Sequence, residues 1–230
     1  MKQLPLCILV IGLGTFCSAQ APSIDIGYNR LYLGGDTGVL ISKDPTVNIS
    51  LTWAGRDAYF NIWRSFDAEG KPGYGNEIDF SVGKTLLRTK GWSISGEAAY
   101  IVLYPLTTVP GDLLSFKVVF ASERGSLRPY LSLQRMLPTD VETLKGGGLY
   151  RLGVRHFFKR GAVADLSVMG HDGVFGRRPE LVSSVRMKVY VSFGHGKNAM
   201  SGYVTYQRGV GHSDGLSSRS CWVAGCTLRL

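Results

Sequence analysis

The chain has 230 residues, of which 44% are hydrophobic and 11% aromatic, and its formal net charge is +9. This hydrophobic content excludes a disordered chain, and the length allows one domain or two small ones. Lysine and arginine form no blocks and do not cluster with the aromatic residues. The composition therefore argues against a nucleic-acid-binding protein.

The first segment, residues 1–21, has the pattern of a secretory signal peptide. Lys2 precedes an apolar run from Leu4 to Phe16, and small residues follow it. The run is shorter than the twenty or so apolar residues that a membrane-spanning helix needs. We expect cleavage after Ala19 or Ala21, which leaves residues 22–230 with a net charge of +8 (9 minus 1 for Lys2).

Apolar and polar residues alternate in the segments that follow residue 22. In VRMKVYVSF (185–193), Val185, Met187 and Val189 oppose Arg186 and Lys188. Such period-two patterns indicate strands with one apolar and one polar face. The clear examples are TVNISLTW, NEIDFSVGK, GWSISGEAAYIVLY, LLSFKVVF, SLRPYLSLQ, LYRLGVRHFF, VRMKVYVSF, AMSGYVTYQ and CWVAGCTLRL, with weaker ones at residues 24–33, 58–66 and 162–169. Pro129 cannot donate to a strand ladder, so we place it near the start of its strand.

The predicted connections alternate between short and long. The short ones are residues 55–57, 87–90, 122–125, 159–161 and 194–197; the long ones are 34–45, 67–75, 105–111, 137–147, 170–183 and 209–217. About twelve strands with this alternation are typical of a bacterial outer-membrane barrel, with short periplasmic turns and longer extracellular loops. The sequence therefore predicts an all-β fold, a single closed antiparallel transmembrane β-barrel with both chain ends in the periplasm.

In such a barrel the apolar strand faces meet lipid and the polar faces meet the lumen. Aromatic residues then fall at the two ends of the lipid-facing surface. We expect Trp53, Trp92, Phe158 and Phe193 on the periplasmic side and Tyr104, Tyr150, Tyr206 and Trp222 on the outer side.

Four segments between residues 27 and 105 resemble the TorF family of outer-membrane porins. They are GVLISKDPTVNISLTWA (38–54), AYFNIWRSF (58–66), NEIDFSVG (76–83) and AAYIVLYP (98–105). The resemblance covers about a third of the chain and implies an outer-membrane barrel. It implies no catalytic or binding residues.

Ten charged residues fall on the predicted lumen face and are the candidate pore-lining residues. Six are basic (Lys117, Arg128, Arg151, Arg155, Arg186 and Lys188) and four are acidic (Glu77, Asp79, Glu97 and Asp165). One interpretation is an ion-selecting wall, because basic side chains around a pore favour anions. The other is a plugged lumen in which the charges pair and hold the strands in register.

Other motifs do not predict a catalytic, metal or cofactor site. His212, Ser213 and Asp214 are the residue types of a hydrolase triad, but adjacent side chains in a glycine-rich loop rarely converge. The histidines at 156, 171 and 195 are scattered along the predicted barrel, and the GGDTG (34–38) and GGG (146–148) motifs are predicted turns. Cys221 and Cys226 lie on opposite faces of one strand about 16 Å apart, too far for a disulfide.

The leading hypothesis is a porin-like channel of the bacterial outer membrane for small solutes or ions, with a weak anion preference. The alternatives are a non-conducting structural or adhesive barrel, a lipid-hydrolysing barrel and a soluble periplasmic β-sandwich. The expected partners are outer-membrane lipid, the solutes and the barrel-assembly machinery. The last strand ends in Leu230, where such barrels commonly carry an aromatic residue.

Overall fold

The computed structural model describes residues 22–30, 32–33, 40–42, 44–71, 76–103, 112–139, 145–159, 161–193, 199–210 and 220–230. These residues form strands and one short 3-10 turn, Val174–Gly176, and none forms a helix long and apolar enough to cross a membrane. The strands are β1 (Ser23–Asn29), β2 (Tyr32–Leu33), β3 (Leu40–Ser42), β4 (Thr46–Ala54), β5 (Ala58–Asp67), β6 (Glu77–Arg88), β7 (Trp92–Leu103), β8 (Leu113–Ser122), β9 (Leu127–Pro138), β10 (Gly147–Phe157), β11 (Ala162–His171), β12 (Glu180–Phe193), β13 (Met200–Gly209) and β14 (Ser220–Arg229).

Twelve of these strands close into one antiparallel barrel. The order around the barrel is β1, β14, β13, β12, β11, β10, β9, β8, β7, β6, β5, β4, and β4 pairs back to β1. Closure pairs every barrel strand on both sides, so no strand edge is left exposed. The predicted fold class is confirmed. The prediction of one strand over residues 24–33 is wrong, because β1 ends at Asn29 and β2 pairs with β3 in a separate two-stranded sheet.

The period-two pattern sorts the side chains between the lumen and the outer surface. On β12, Lys188 pairs with Asp165 and Arg186 pairs with Ser167, and all four occupy lumen-facing positions. Met187 and Phe193, on the alternate face, are 44% and 52% exposed. The outer surface of the barrel is thus apolar, as a lipid-facing surface requires.

The two ends of the barrel differ in the length of their connections. Residues 55–57, 89–91, 123–126, 158–161 and 194–199 join strands at one end, which we call the turn end. Connections of eight or more residues join strands at the opposite end, the loop end. Exposed Trp92 and Phe158 lie at the turn end, and Trp222, whose ring lies 4.8 Å from that of Tyr206, lies at the loop end. Tyr104 lies outside the described residues.

One connection at the loop end enters the barrel. Residues 172–176, which we call the inserted segment, follow β11, and Val174 is completely buried. Val174 packs against five side chains that point into the lumen from β7 to β10: Ala99, Ile101, Leu113, Met136 and Leu149. The predicted loop over residues 170–183 is therefore shorter than expected, and its first half fills part of the lumen.

The GGG motif provides the surface on which the inserted segment lies. Gly147 and Gly148 belong to β10, so their prediction as turn residues is wrong. The backbone of Asp172 donates to the carbonyl of Gly148 at 3.0 Å, and Asp172 also accepts a hydrogen bond from the Gly148 N–H. A Cβ atom on Gly147 would lie 2.6 Å from the Cα of Val174, so only glycine allows this close approach.

Candidate functional site

Four basic side chains line one side of the lumen. They are Arg151 and Arg155 on β10 and Arg186 and Lys188 on β12, and we call them the cationic wall. Together with Asp165, Tyr190 and Tyr203 they surround a cavity of about 350 Å³. The wall exists because β10, β11 and β12 are neighbours and each carries its charges at alternate positions.

Asp165 on β11 lies between the two basic strands and fixes part of the wall. Its carboxylate accepts a hydrogen bond from Arg155 Nε at 3.0 Å and another from the Tyr130 hydroxyl at 2.8 Å. The Arg155 guanidinium also lies 4.5 Å from the centre of the Tyr130 ring. These contacts hold Arg155 in place, since a carboxylate and an aromatic face both attract a guanidinium.

Lys188 has a different environment, made of aromatic rings. Its Nζ atom lies 4.1 Å from the centre of the Tyr203 ring and 5.9 Å from that of Tyr190. The Tyr203 hydroxyl donates to Asp25 at 2.9 Å, which fixes the ring. Lys188 therefore presents its charge to the cavity from an aromatic surface.

Three acidic side chains line a second, larger cavity on the side opposite to the cationic wall. This cavity of about 410 Å³ is bordered by Arg186 and Lys188 and also by Glu77, Asp79 and Glu97. β6, which carries Glu77 and Asp79, lies six strands from β12 in either direction around the twelve-stranded barrel. The two signs of charge thus face each other across the lumen.

Two of the candidate residues lie apart from both cavities. Lys117 Nζ is 2.6 Å from Glu97, and both side chains are mostly buried. Arg128 lies at the turn end, where its guanidinium is 4.1 Å from the centre of the Phe157 ring and Nε donates to the carbonyl of Gly125. A pore-lining role for any of the ten residues stays a prediction.

Several lumen residues were not among the candidates. Tyr130 contacts Arg155, Tyr190 and Tyr203 border the cavity of the cationic wall, and Asp25 accepts a hydrogen bond from Tyr203. The period-two pattern of SIDIGYN on β1 places Asp25 on the polar face and could have identified it. The tyrosines lay on predicted polar faces but carry no charge, and the candidates were charged residues.

Other predicted residues fall elsewhere. Cys221 is buried, Cys226 is exposed, and these two described cysteines form no disulfide. His171 is buried next to Glu180, and within the described ranges no cluster of three or more histidine, cysteine or acidic side chains could hold a metal ion. The His212 to Asp214 motif, His195, GGDTG and the signal segment lie outside the described residues.

Comparisons with known proteins agree with the architecture. No family model and no curated protein sequence matches the chain. Among solved structures, a KdgM porin is similar with a TM-score of 0.62 and 8% identity, over 90% of this chain and 99% of that one. The chain has the fold of these porins.

Two further porin structures have the same fold as this chain. A KdgM porin in complex with disordered oligogalacturonate aligns with a TM-score of 0.63 and 9% identity, over 90% of this chain and 99% of that one. A NanC porin aligns with a TM-score of 0.57 and 10% identity, over 91% and 100% of the two chains. At such identities the likeness concerns the fold alone, and the resemblance to the TorF family stays a prediction.

Proposed function

We propose that the protein is a porin-like channel of the bacterial outer membrane that passes small solutes or ions with a weak anion preference. The observation that carries the proposal is the cationic wall, which lines a cavity inside a closed barrel whose outer surface is apolar. The fold shared with the KdgM and NanC porins supports it.

The membrane location follows from the surface of the barrel. Leu152, Leu166 and Met187 on neighbouring strands are exposed, and in water such a continuous apolar surface would be unfavourable. In a bilayer the same surface contacts acyl chains, so outer-membrane lipid is the proposed partner. Assembly by the barrel-assembly machinery belongs to this proposal.

The anion preference follows from unequal charge around the smaller cavity. The smaller cavity has four basic side chains and one carboxylate, Asp165, on its lining. A wall with excess positive charge raises the local concentration of anions, an effect that salt screens over about 10 Å at 0.1 M. The preference is therefore expected to be modest and largest at low salt.

Current measurements on the purified protein in a planar bilayer test the proposal. Under a KCl gradient the reversal potential of the wild type should lie on the chloride side, and increasing the salt should move it towards zero. Replacing both Arg186→Glu and Lys188→Glu should shift it towards potassium, because the lining of the cavity then has three carboxylates, Asp165 included, against two guanidinium groups.

A matched control separates the wall from the total charge of the protein. Arg56→Glu with Lys90→Glu makes the same change in charge at two turn-end connections, and the Arg56 side chain is 94% exposed to solvent. This control should leave the reversal potential near that of the wild type. A wild type that never conducts, although its barrel is folded, would contradict the proposal.

A second function, a non-conducting structural or adhesive barrel, is favoured by two observations. The Lys117–Glu97 and Arg155–Asp165 pairs each join neighbouring strands, as structural ion pairs would. The inserted segment also fills part of the lumen. In that case the double swap at 186 and 188 would reduce stability, and no current would be measured for any variant.

A further inference from the structure

The larger cavity has features that ion passage alone does not explain. Besides the basic pair Arg186 and Lys188 and the acidic pair Glu77 and Asp79, an apolar surface borders it. We call this surface the apolar patch; it consists of Leu103 and Phe175, which pack against the buried side chains of Ile101, Leu113 and Met136. Apolar side chains at lumen positions weaken contacts with hydrated ions, so their placement indicates a solute with an apolar part.

The three groups occupy separate sectors of the barrel wall. The basic pair is on β12 and the acidic pair is on β6, diametrically opposite. The patch comes from β7, between these strands on one side, and from the inserted segment. On the other side lie polar residues of β13, β1, β4 and β5, among them the amides Gln207, Asn48 and Asn61 and the carboxylate Asp25.

Amide side chains lie close to the acidic pair in the polar sector. Asn48 borders the cavity on β4, two strands from the acidic pair on β6. An ammonium group has three donors, which suit the two carboxylates of that pair.

The width of the barrel limits the length of the solute. Twelve strands spaced about 4.8 Å apart and tilted about 40° give a backbone diameter of about 24 Å. The side chains of the opposite walls and one hydrogen bond at each end leave about 8 Å between the two charged groups of a bound solute. An extended chain covers about 3.3–3.6 Å per residue, so this gap fits two or three residues.

We propose that the larger cavity binds zwitterionic peptides of two or three residues that carry an apolar side chain. The carboxylate of the peptide contacts Arg186 and Lys188, its ammonium contacts Glu77 and Asp79, and its apolar side chain contacts the patch at Phe175. The amide groups of the polar sector suit the peptide bonds. The inference rests on the proposed channel, because the cavity would then lie on the route of the solute.

A series of matched peptides tests the inference on the intact barrel. The probes are Leu-Ala, N-acetyl-Leu-Ala without the ammonium, Leu-Ala amide without the carboxylate, Gly-Gly without the apolar part, and free leucine without the length. Binding is measured by saturation-transfer NMR in detergent micelles, and block of the ionic current is measured in planar bilayers. Leu-Ala should bind most tightly, and each change should weaken its binding by about threefold. For the two charged ends, this is the contribution of one ion pair exposed to water.

Variants of the barrel test which residues contact each end of the peptide. Glu77→Gln with Asp79→Asn should weaken Leu-Ala and its amide but not the N-acetyl peptide. Arg186→Gln with Lys188→Gln should weaken Leu-Ala and the N-acetyl peptide but not the amide. Phe175→Ser should weaken Leu-Ala but not Gly-Gly, and Arg56→Gln at the turn end is the control without effect.

The outcomes separate the two proposals. Equal binding of Leu-Ala and N-acetyl-Leu-Ala would overturn the inference even if the barrel conducts ions, and so would free leucine binding as tightly as Leu-Ala. A barrel that carries no current but binds the peptides in the expected order would contradict the channel and leave the peptide site in place.

Discussion

At the scale of single residues, the lumen depends on tyrosines that lie over glycines of neighbouring strands. Tyr130 covers Gly153, where a Cβ atom would lie 2.5 Å from Cζ of the ring. Tyr203 covers Gly225 of the neighbouring strand β14 in the same way, and its hydroxyl would lie 2.7 Å from a Cβ atom on Gly27 of β1, one strand further. These contacts keep the rings flat against the wall, where they can hold Arg155 and Lys188.

The first prediction concerns Gly153→Ala. The added methyl group must displace the Tyr130 ring, which weakens its hydrogen bond to Asp165 and its contact with Arg155. We expect the free energy of unfolding to fall by about 1–3 kcal/mol, the usual cost of overpacking. Urea unfolding in detergent micelles, followed by tryptophan fluorescence, measures this.

Gly202→Ala is the matched control for that prediction. It lies on the outer face of β13, and its Cβ atom would be in ordinary contact, 3.6 Å from the Phe193 ring. Alanine there should be neutral or slightly stabilising, because it reduces the freedom of the unfolded chain. Equal destabilisation by the two variants would show that the Tyr130 contact has no special importance.

At the scale of elements, the inserted segment is the feature that most alters the lumen. Its backbone is unusual, since Gly173, Phe175 and Gly176 have φ angles of 110°, 58° and 73°. Phe175 is the only described residue other than glycine with a positive φ angle. The contacts with β10 and the 3.0 Å ion pair between Arg135 and Asp172 stabilise this conformation.

The second prediction is that Gly147→Ala moves the inserted segment out of its place. The Cβ atom would lie 2.6 Å from the Cα and 2.7 Å from the N of Val174, and backbone atoms cannot move aside as a flexible side chain can. A cysteine at position 174, in a Cys226→Ser background, should be protected from a thiol reagent and become reactive when Gly147→Ala is added. Single-channel conductance should rise in parallel.

Gly55→Ala at the turn end is the control for this variant. Its Cβ atom would meet only the carbonyl oxygen of Ala58, at 3.6 Å. It should change neither labelling at position 174 nor conductance. Continued protection of position 174 in the Gly147→Ala protein would contradict a glycine-dependent placement of the segment.

The sequence predicts elements that have a repeating pattern and misses those that do not. Alternation identifies the lumen face of β12 because Arg186 and Lys188 are two residues apart and the pattern continues on both sides. The inserted segment has no period, and Val174 contacts Ala99 and Leu113, which are far away in sequence. Only barrel closure brings those residues together. For the same reason, the opposition of Glu77 and Arg186 across the lumen could not be predicted.

At the scale of the whole molecule, closure of the barrel is the basis of the third prediction. With β1 paired to both β14 and β4, the barrel has no free edge at which unfolding could begin. The mature protein should fractionate with outer membranes, and boiled and unboiled samples should migrate differently on denaturing gels. Recovery as a soluble periplasmic monomer without detergent would contradict a transmembrane barrel.

The fourth prediction concerns the orientation of the barrel in the membrane. Every connection at the loop end is longer than those at the turn end, and outer-membrane barrels place their long loops outside the cell. A protease-recognition sequence inserted within residues 139–146 should therefore be cut on intact cells. The same insertion within residues 123–126, at the turn end, should be cut only after the outer membrane is opened. Because both insertions fall in connections, neither should disturb strand pairing, and an unchanged heat-dependent shift on gels checks this. The reverse pattern of cleavage would place the turn end outside, and the apolar patch would then lie at the periplasmic mouth of the lumen.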